Sequence, residues 1–195
     1  MRRILLLLAA IGLLAGCGGG GGGGQEFTTD ELPKLVLRPS EAPKGLEYAK
    51  SESGPNILEK AGSGQGLEPL KKNGLEGDYG IRFLSKGGAT GPIFAEALAL
   101  VFKDSSGASK ALAFTKTQAT QGGKTVSVSA KGLGIEGWAL HGSFFNPKAP
   151  RTYFYTWRIG NAILSFILSG DVTEKQARGY ADTLNRRAKE IARSS

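Results

Sequence analysis

Two residues of this chain are each alone of their kind and chemically reactive: Cys17, its only thiol, and His141, its only imidazole. A catalytic thiolate needs a neighbouring base, and a catalytic imidazole needs a partner with which to exchange a proton. Cys17 is followed at once by seven glycines, Gly18 to Gly24, which offer no side chain of any kind. His141 lies in "WALHGSFF", where strand alternation sets it opposite Trp138, Leu140 and Gly142, so it reads as an ordinary strand residue. A zinc site needs three or four ligands at fixed spacing, and one His with one Cys does not furnish them. A serine hydrolase elbow of the G-x-S-x-G kind is absent. "GSGQG" (Gly62 to Gly66) and "GGK" (Gly122 to Lys124) share only their composition with phosphate loops. They lack the P-loop spacing at a strand–helix junction and are expected to be turns. No catalytic, cofactor or metal residue is assigned, and no cofactor is expected.

The residues ahead of Cys17 explain it better. Arg2 and Arg3 make a positive start, Ile4 to Leu14 an apolar stretch, and Ala15 and Gly16 a small-residue end. That order is the anatomy of a secretory signal peptide. Eleven apolar residues rise only about 16 Å as a helix, against roughly 30 Å of bilayer hydrocarbon, so a permanent span is not expected. Leu14-Ala15-Gly16-Cys17 resembles the lipobox of bacterial lipoproteins at all four positions. The resemblance implies cleavage between Gly16 and Cys17, a diacylglyceryl group on the Cys17 sulfur through a thioether, and an amine freed for acylation. Each buried methylene contributes roughly 0.8 kcal/mol, and two or three acyl chains suffice for stable anchoring. The expected organisation is then 1–16 signal peptide, 17–27 lipidated cysteine and glycine-rich tether, and 28–195 one extracytoplasmic domain on the outer face of the cell membrane, or of the outer membrane where the envelope has one.

The 25 Lys and Arg exceed the 17 Asp and Glu, a formal charge of +8 that falls to about +6 once Arg2 and Arg3 are removed. Such a surface suits anionic head groups or envelope polymers. The membrane, through Cys17, is the expected partner, with an anionic envelope component or an apolar ligand as further candidates. Nucleic acid is discounted for an exported protein. A single cysteine allows no disulfide within the chain, so the domain must stand on its apolar core.

The elements follow from local pattern. Pro33, Pro39, Pro43, Pro55 and Pro69 break the stretch from Leu32 to Lys72 into loops with a short helix or two. Tyr79–Ser85 and Ile93–Phe102 read as strands, and "DSSGASKALAFTKTQAT" as a capped helix with Leu112, Thr115 and Ala119 on one stripe. "KTVSVSAK" and "GWALHGSFF" read as two further strands around the "GLGIEG" turn. In "RTYFYTWRIGNAILSFILSG" two β-rich runs flank Gly160-Asn161, a pair suited to a tight hairpin. Pairing Ile159 with Ala162 sets Tyr153, Tyr155 and Trp157 opposite Leu168, Phe166 and Leu164 on the expected core face, with Phe154, Thr156 and Arg158 on the other. These aromatics would also suit a cleft for an apolar or sugar ligand, but their hairpin partners favour a core role. The last segment offers two caps, Asp171 with Glu174 and Thr173 with Gln176, and a stripe of Ala177, Ala181, Leu184, Ala188 and Ile191. Hairpins without crossovers predict an α+β fold: an antiparallel sheet with a central helix and a C-terminal helix packed mainly on one face.

"LALVFKDSSGASKALAF" and "WRIGNAILSFILSGDVTEKQARGYADTL" resemble small extracytoplasmic lipoprotein and kinase sensor domains of actinobacteria, such as the extracellular domain of a mycobacterial serine/threonine kinase. The shared look is a strand, an Ala-rich helix, a Gly-Asn hairpin and a terminal helix, over about half of the chain. Those kinase domains carry cysteines that would form disulfides, and this domain has none. The resemblance implies a domain that binds or senses rather than catalyses, and carries over no ligand residue. The leading expectation is a lipid-anchored, non-enzymatic binding or sensing protein. The alternatives are a carrier holding lipid or lipoglycan in an apolar cavity, and a hydrolase built on paired carboxylates.

Overall fold

The computed structural model describes residues 26–60, 64–87, 91–121, 124–144 and 150–194. Gly16, Cys17, the signal segment and the Gly122-Gly123 pair lie outside these residues. In chain order the elements are α1 (Leu32–Leu35), β1 (Leu46–Tyr48), β2 (Gly54–Pro55), α2 (Ile57–Lys60), α3 (Gly64–Lys72), β3 (Leu75–Ser85) and β4 (Pro92–Phe102), then α4 (Ser105–Thr120), β5 (Lys124–Val128), β6 (Glu136–Ser143), β7 (Thr152–Ile159), β8 (Ala162–Gly170) and α5 (Glu174–Ser194). The strands make one sheet in the order β1-β3-β4-β8-β7-β6-β5, with β2 alongside β3, and every pair is antiparallel. The glycines of "GSGQG" do not form the expected turn throughout, since Gly64 already opens α3.

The β7–β8 hairpin has the register that its turn predicts: Ile159 faces Ala162, Tyr155 faces Phe166 and Trp157 faces Leu164. Gly160 takes φ of 57° there, a left-handed value that glycine adopts without strain. The connection between β4 and β5 differs from a chain of hairpins. α4 carries the chain over the sheet to its far edge, and β6, β7 and β8 then return to pair with β4.

That crossover changes where the helices sit. On one face Ala95, Ala97, Ala99, Val101, Tyr155, Trp157, Leu164, Phe166 and Leu168 bury against Ala177, Ala181, Leu184 and Ala188 of α5. On the other, Leu100, Phe102, Trp138, Leu140 and Ile163 bury against Ala108, Ala111, Leu112 and Ala119 of α4. The fold is α+β as expected, but its two long helices lie on opposite faces instead of mainly on one. The cause is visible in β4 and β8, whose side chains are apolar on both sides, the pattern of strands covered twice.

Both helices start on side-chain caps. Asp104 accepts the Gly107 N–H at 2.7 Å ahead of α4. At α5 the Thr173 hydroxyl accepts the Gln176 N–H at 3.3 Å and Gln176 Oε1 accepts the Thr173 N–H at 2.8 Å, a reciprocal box in which Asp171 takes no part. Phe27 is only 3% exposed and joins the α5-side core. Its N–H donates to Asn161 Oδ1 at 2.7 Å, while Asn161 Nδ2 donates to the carbonyls of Phe27 at 3.0 Å and Phe102 at 2.7 Å.

Candidate functional site

The residues proposed as a possible aromatic cleft separate into two environments. Tyr155 and Trp157 are fully buried under α5, and neither the Tyr155 hydroxyl nor the Trp157 indole N–H has a hydrogen-bond partner among the described residues. Burial, reinforced by the charge of Glu174, pushes the Tyr155 hydroxyl up to about 12. Both rings are core, and they line no cleft. Tyr153 is half-buried further along the same strand, and the ring of His141 stacks on it with centroids 4.1 Å apart and planes 12° from parallel.

The register explains that pair. Val126, His141, Tyr153 and Leu168 lie in one row across β5, β6, β7 and β8. Leu168 is buried, His141 and Tyr153 are half-buried, and Val126 at the edge strand is 61% exposed. The row therefore climbs from the core to an open aromatic and aliphatic platform. It can offer ring faces and a methyl surface to a ligand. It lacks the third group that a base–nucleophile arrangement would need, because the described contact of His141 is with a phenol ring and not with a carboxylate or a serine.

The carboxylates with displaced protonation are engaged in structure. Burial pushes Asp78 up, only partly offset by the N–H groups of Leu58 and Ile57, and its Oδ1 accepts from Leu58 at 3.1 Å at the start of α2. For Glu41 burial acts upward as well, yet the Arg38 N–H and the Arg187 guanidinium outweigh it and hold the carboxyl below its ordinary value. Arg187 also donates to the Val36 carbonyl, fastening the segment after α1 to α5. Glu136 is held low in the same way, by Ser109 and Arg158 against the cost of burial. Arg158 is thereby occupied: it pairs with Glu136 and donates to the Gly160 carbonyl at 2.7 Å. Among the described residues no group of three His, Cys, Asp or Glu is placed to hold a metal ion.

The described residues also line surface depressions, two of which border charged side chains. One of about 780 Å³ is open and lies along Glu47 to Glu52 and the end of β3. The other, of about 260 Å³, sits at the start of α4 among Lys72, Lys103 and Lys110. Sequence reasoning singled out neither, since each joins residues some thirty positions apart in the chain. No described helix is long and apolar enough to cross a membrane.

Comparison with known proteins gives a fold and not a family. The chain matches no family model and no curated protein. It is similar to the solved extracellular domain of PknH from Mycobacterium tuberculosis, with a TM-score of 0.60 and 14% identity over 86% of this chain and 100% of that one. The two chains share an architecture.

Proposed function

We propose that this protein is a lipid-anchored component of a bacterial cell envelope whose α+β domain binds or senses a ligand outside the cytoplasm without catalysing a reaction. The observation that carries the reading is Leu14-Ala15-Gly16-Cys17 behind an apolar segment of signal-peptide length. The fold likeness to the extracellular domain of PknH supports an extracytoplasmic setting. The His141–Tyr153 stack beside Val126 is the surface best suited to receive a ring or an apolar group. The carrier alternative requires a cavity inside the fold. Where α5 meets the sheet, Ala95, Ala97 and Ala99 face Ala177, Ala181 and Ala188 in the same buried cluster instead. In metabolic labelling with a fatty acid, the wild-type chain takes up label and partitions with membranes, and Cys17→Ala does neither. Unchanged labelling of Cys17→Ala overturns the anchor.

A further inference from the structure

The place at which the chain enters the fold and the most exposed large apolar side chain among the described residues lie at the same end of the sheet. Phe27 is held to the β7–β8 turn by Asn161. Beside that turn runs the loop from Ser129 to Ile135, whose Ile135 N–H donates to the Arg158 carbonyl at 2.9 Å. Ile135 is 72% exposed, while its neighbour Leu133 is 3% exposed.

This loop is shaped from behind. Arg178 of α5 donates to the carbonyls of Ser129 at 3.0 Å and Lys131 at 2.7 Å. Asn185, also of α5, accepts from the Gly134 N–H at 2.9 Å and donates to the Gly132 carbonyl at 3.0 Å. Gly134 has φ of 57°, and a Cβ there would lie 2.2 Å from the Arg158 carbonyl oxygen, so only glycine lets the loop press so closely on β7. Four side-chain hydrogen bonds and a buried leucine hold a short loop rigid and leave an isoleucine pointing outward. A side chain so placed gains nothing from the fold it belongs to.

The exposed lysines at this end include Lys131, in the same loop, and Lys103, which stands with Lys72 and Lys110 at the start of α4. The nearby acids have partners within the fold: Glu136 on Arg158, Asp104 on Gly107 and Glu31 on Thr28. Exposed Glu26, directly ahead of Phe27, and exposed Asp30 and Glu76 lie at the same end toward β3. Cys17 and Phe27 are ten residue steps apart, and a chain of that length spans at most about 35 Å. The opposite end of the sheet is a further strand length away: the eleven residues of β3 cover about 35 Å.

We propose that the domain rests on the bilayer through this end, with Ile135 entering the boundary between head groups and acyl chains and with Lys103 and Lys131 meeting lipid phosphates. This rests on the reading of Cys17 as lipidated, and one experiment separates the two claims. The full-length chain, processed in its host and reconstituted in vesicles of phosphatidylethanolamine and phosphatidylglycerol, is treated with a thiol-reactive nitroxide. A thioether at Cys17 leaves the wild type unlabelled; one label per wild-type chain means that the anchor reading itself fails. Ile135→Cys and Lys86→Cys, the latter at the opposite end of the sheet after β3, then take one label each. The expected result is a several-fold higher ratio of oxygen to aqueous-nickel collisions at position 135 than at 86. Equal ratios, or a higher ratio at 86, overturn the docking, and so does a label at 135 that loses access to both reagents, which marks a protein contact.

Discussion

Beneath α5 the central strands present alanines and three large aromatics, and beneath α4 they present hydroxyls and a tryptophan whose N–H is satisfied. On the α5 side Ala95, Ala97 and Ala99 lie against Ala177 and Ala181, and Tyr155 and Trp157 are sealed in with their polar atoms unbonded. On the α4 side Thr156 and Ser165 bond across β7 and β8 at 3.1 Å, Thr152 and Ser169 at 2.7 Å, and Trp138 donates to the Leu112 carbonyl at 3.3 Å. Small residues on both partners let α5 close tightly over dry aromatic mass. The α4 face instead satisfies its polar atoms and keeps partial contact with water. One sheet thus carries a face built for burial and a face built for hydrogen bonding.

The sharpest way to break this contrast is to hollow out both faces. Trp157→Ala removes a fully buried ring and is expected to cost about 4 kcal/mol, whereas Leu112→Ala, on the buried face of α4, is expected to cost about 2.5 kcal/mol. Urea unfolding of both variants gives the comparison, and equal losses would mean that the faces carry the core equally. Asn161→Ala comes next, with a loss of about 2 kcal/mol, because it strips partners from the buried groups of Phe27 and Phe102. The same variant should show faster proteolysis ahead of Leu32 at concentrations of urea too low for global unfolding.

Single polar atoms test the contrast more finely. Thr156→Val is expected to cost about 1 kcal/mol because it leaves the buried Ser165 hydroxyl without its partner. Tyr155→Phe, on the other face, should leave thermal stability unchanged or raise it, since the hydroxyl it removes has no bond to lose. A drop as large as that of Thr156→Val would show the Tyr155 hydroxyl to be engaged. pH tests such groups from both ends of the scale. Glu41 and Glu136 are held below their ordinary value of 4.5 in the fold, so the stability they contribute is complete above that value and is lost as pH falls through their folded values. Tyr155 acts on the other side: burial raises it from 10.0 to about 12, so the fold keeps its full stability below pH 10 and loses stability as pH climbs toward 12 and the unfolded chain's phenol ionises. Denaturant midpoints measured across both windows should decline at each end. A midpoint that stays flat in the acid window would detach Glu41 and Glu136 from the stability of the fold.

Much of this architecture can be read from local pattern. The hairpin register follows from Gly160-Asn161 between two β-rich runs, and the buried stripe of α5 follows from helical spacing, because both signals sit within a few residues of one another. The opposed placement of α4 is encoded too. Leu98, Leu100 and Phe102 alternate with Ala95, Ala97 and Ala99, so β4 is apolar on both sides, though alanine and Glu96 weaken that signal. Contacts distant in sequence are not legible in this way. Nothing local announces that Asn161 receives Phe27 across 134 positions, or that Arg178 and Asn185 shape the loop before Ile135. The His141–Tyr153 stack needed the register of β6 on β7, which no tight turn in the sequence sets. His141 was visible as a strand residue, but its ring partner was not.

Asn161 has a mechanical consequence. A pull on the chain ahead of Phe27 is not delivered to an edge strand, which could peel away one hydrogen bond after another. It reaches the turn between two interior strands, where the amide also grips the last carbonyl of β4. The load is thereby divided between β8 and β4, the strands covered by a helix on each side. A domain hung from that point can be tugged by whatever lies upstream and still keep its margins, β1 and β5, out of the line of force.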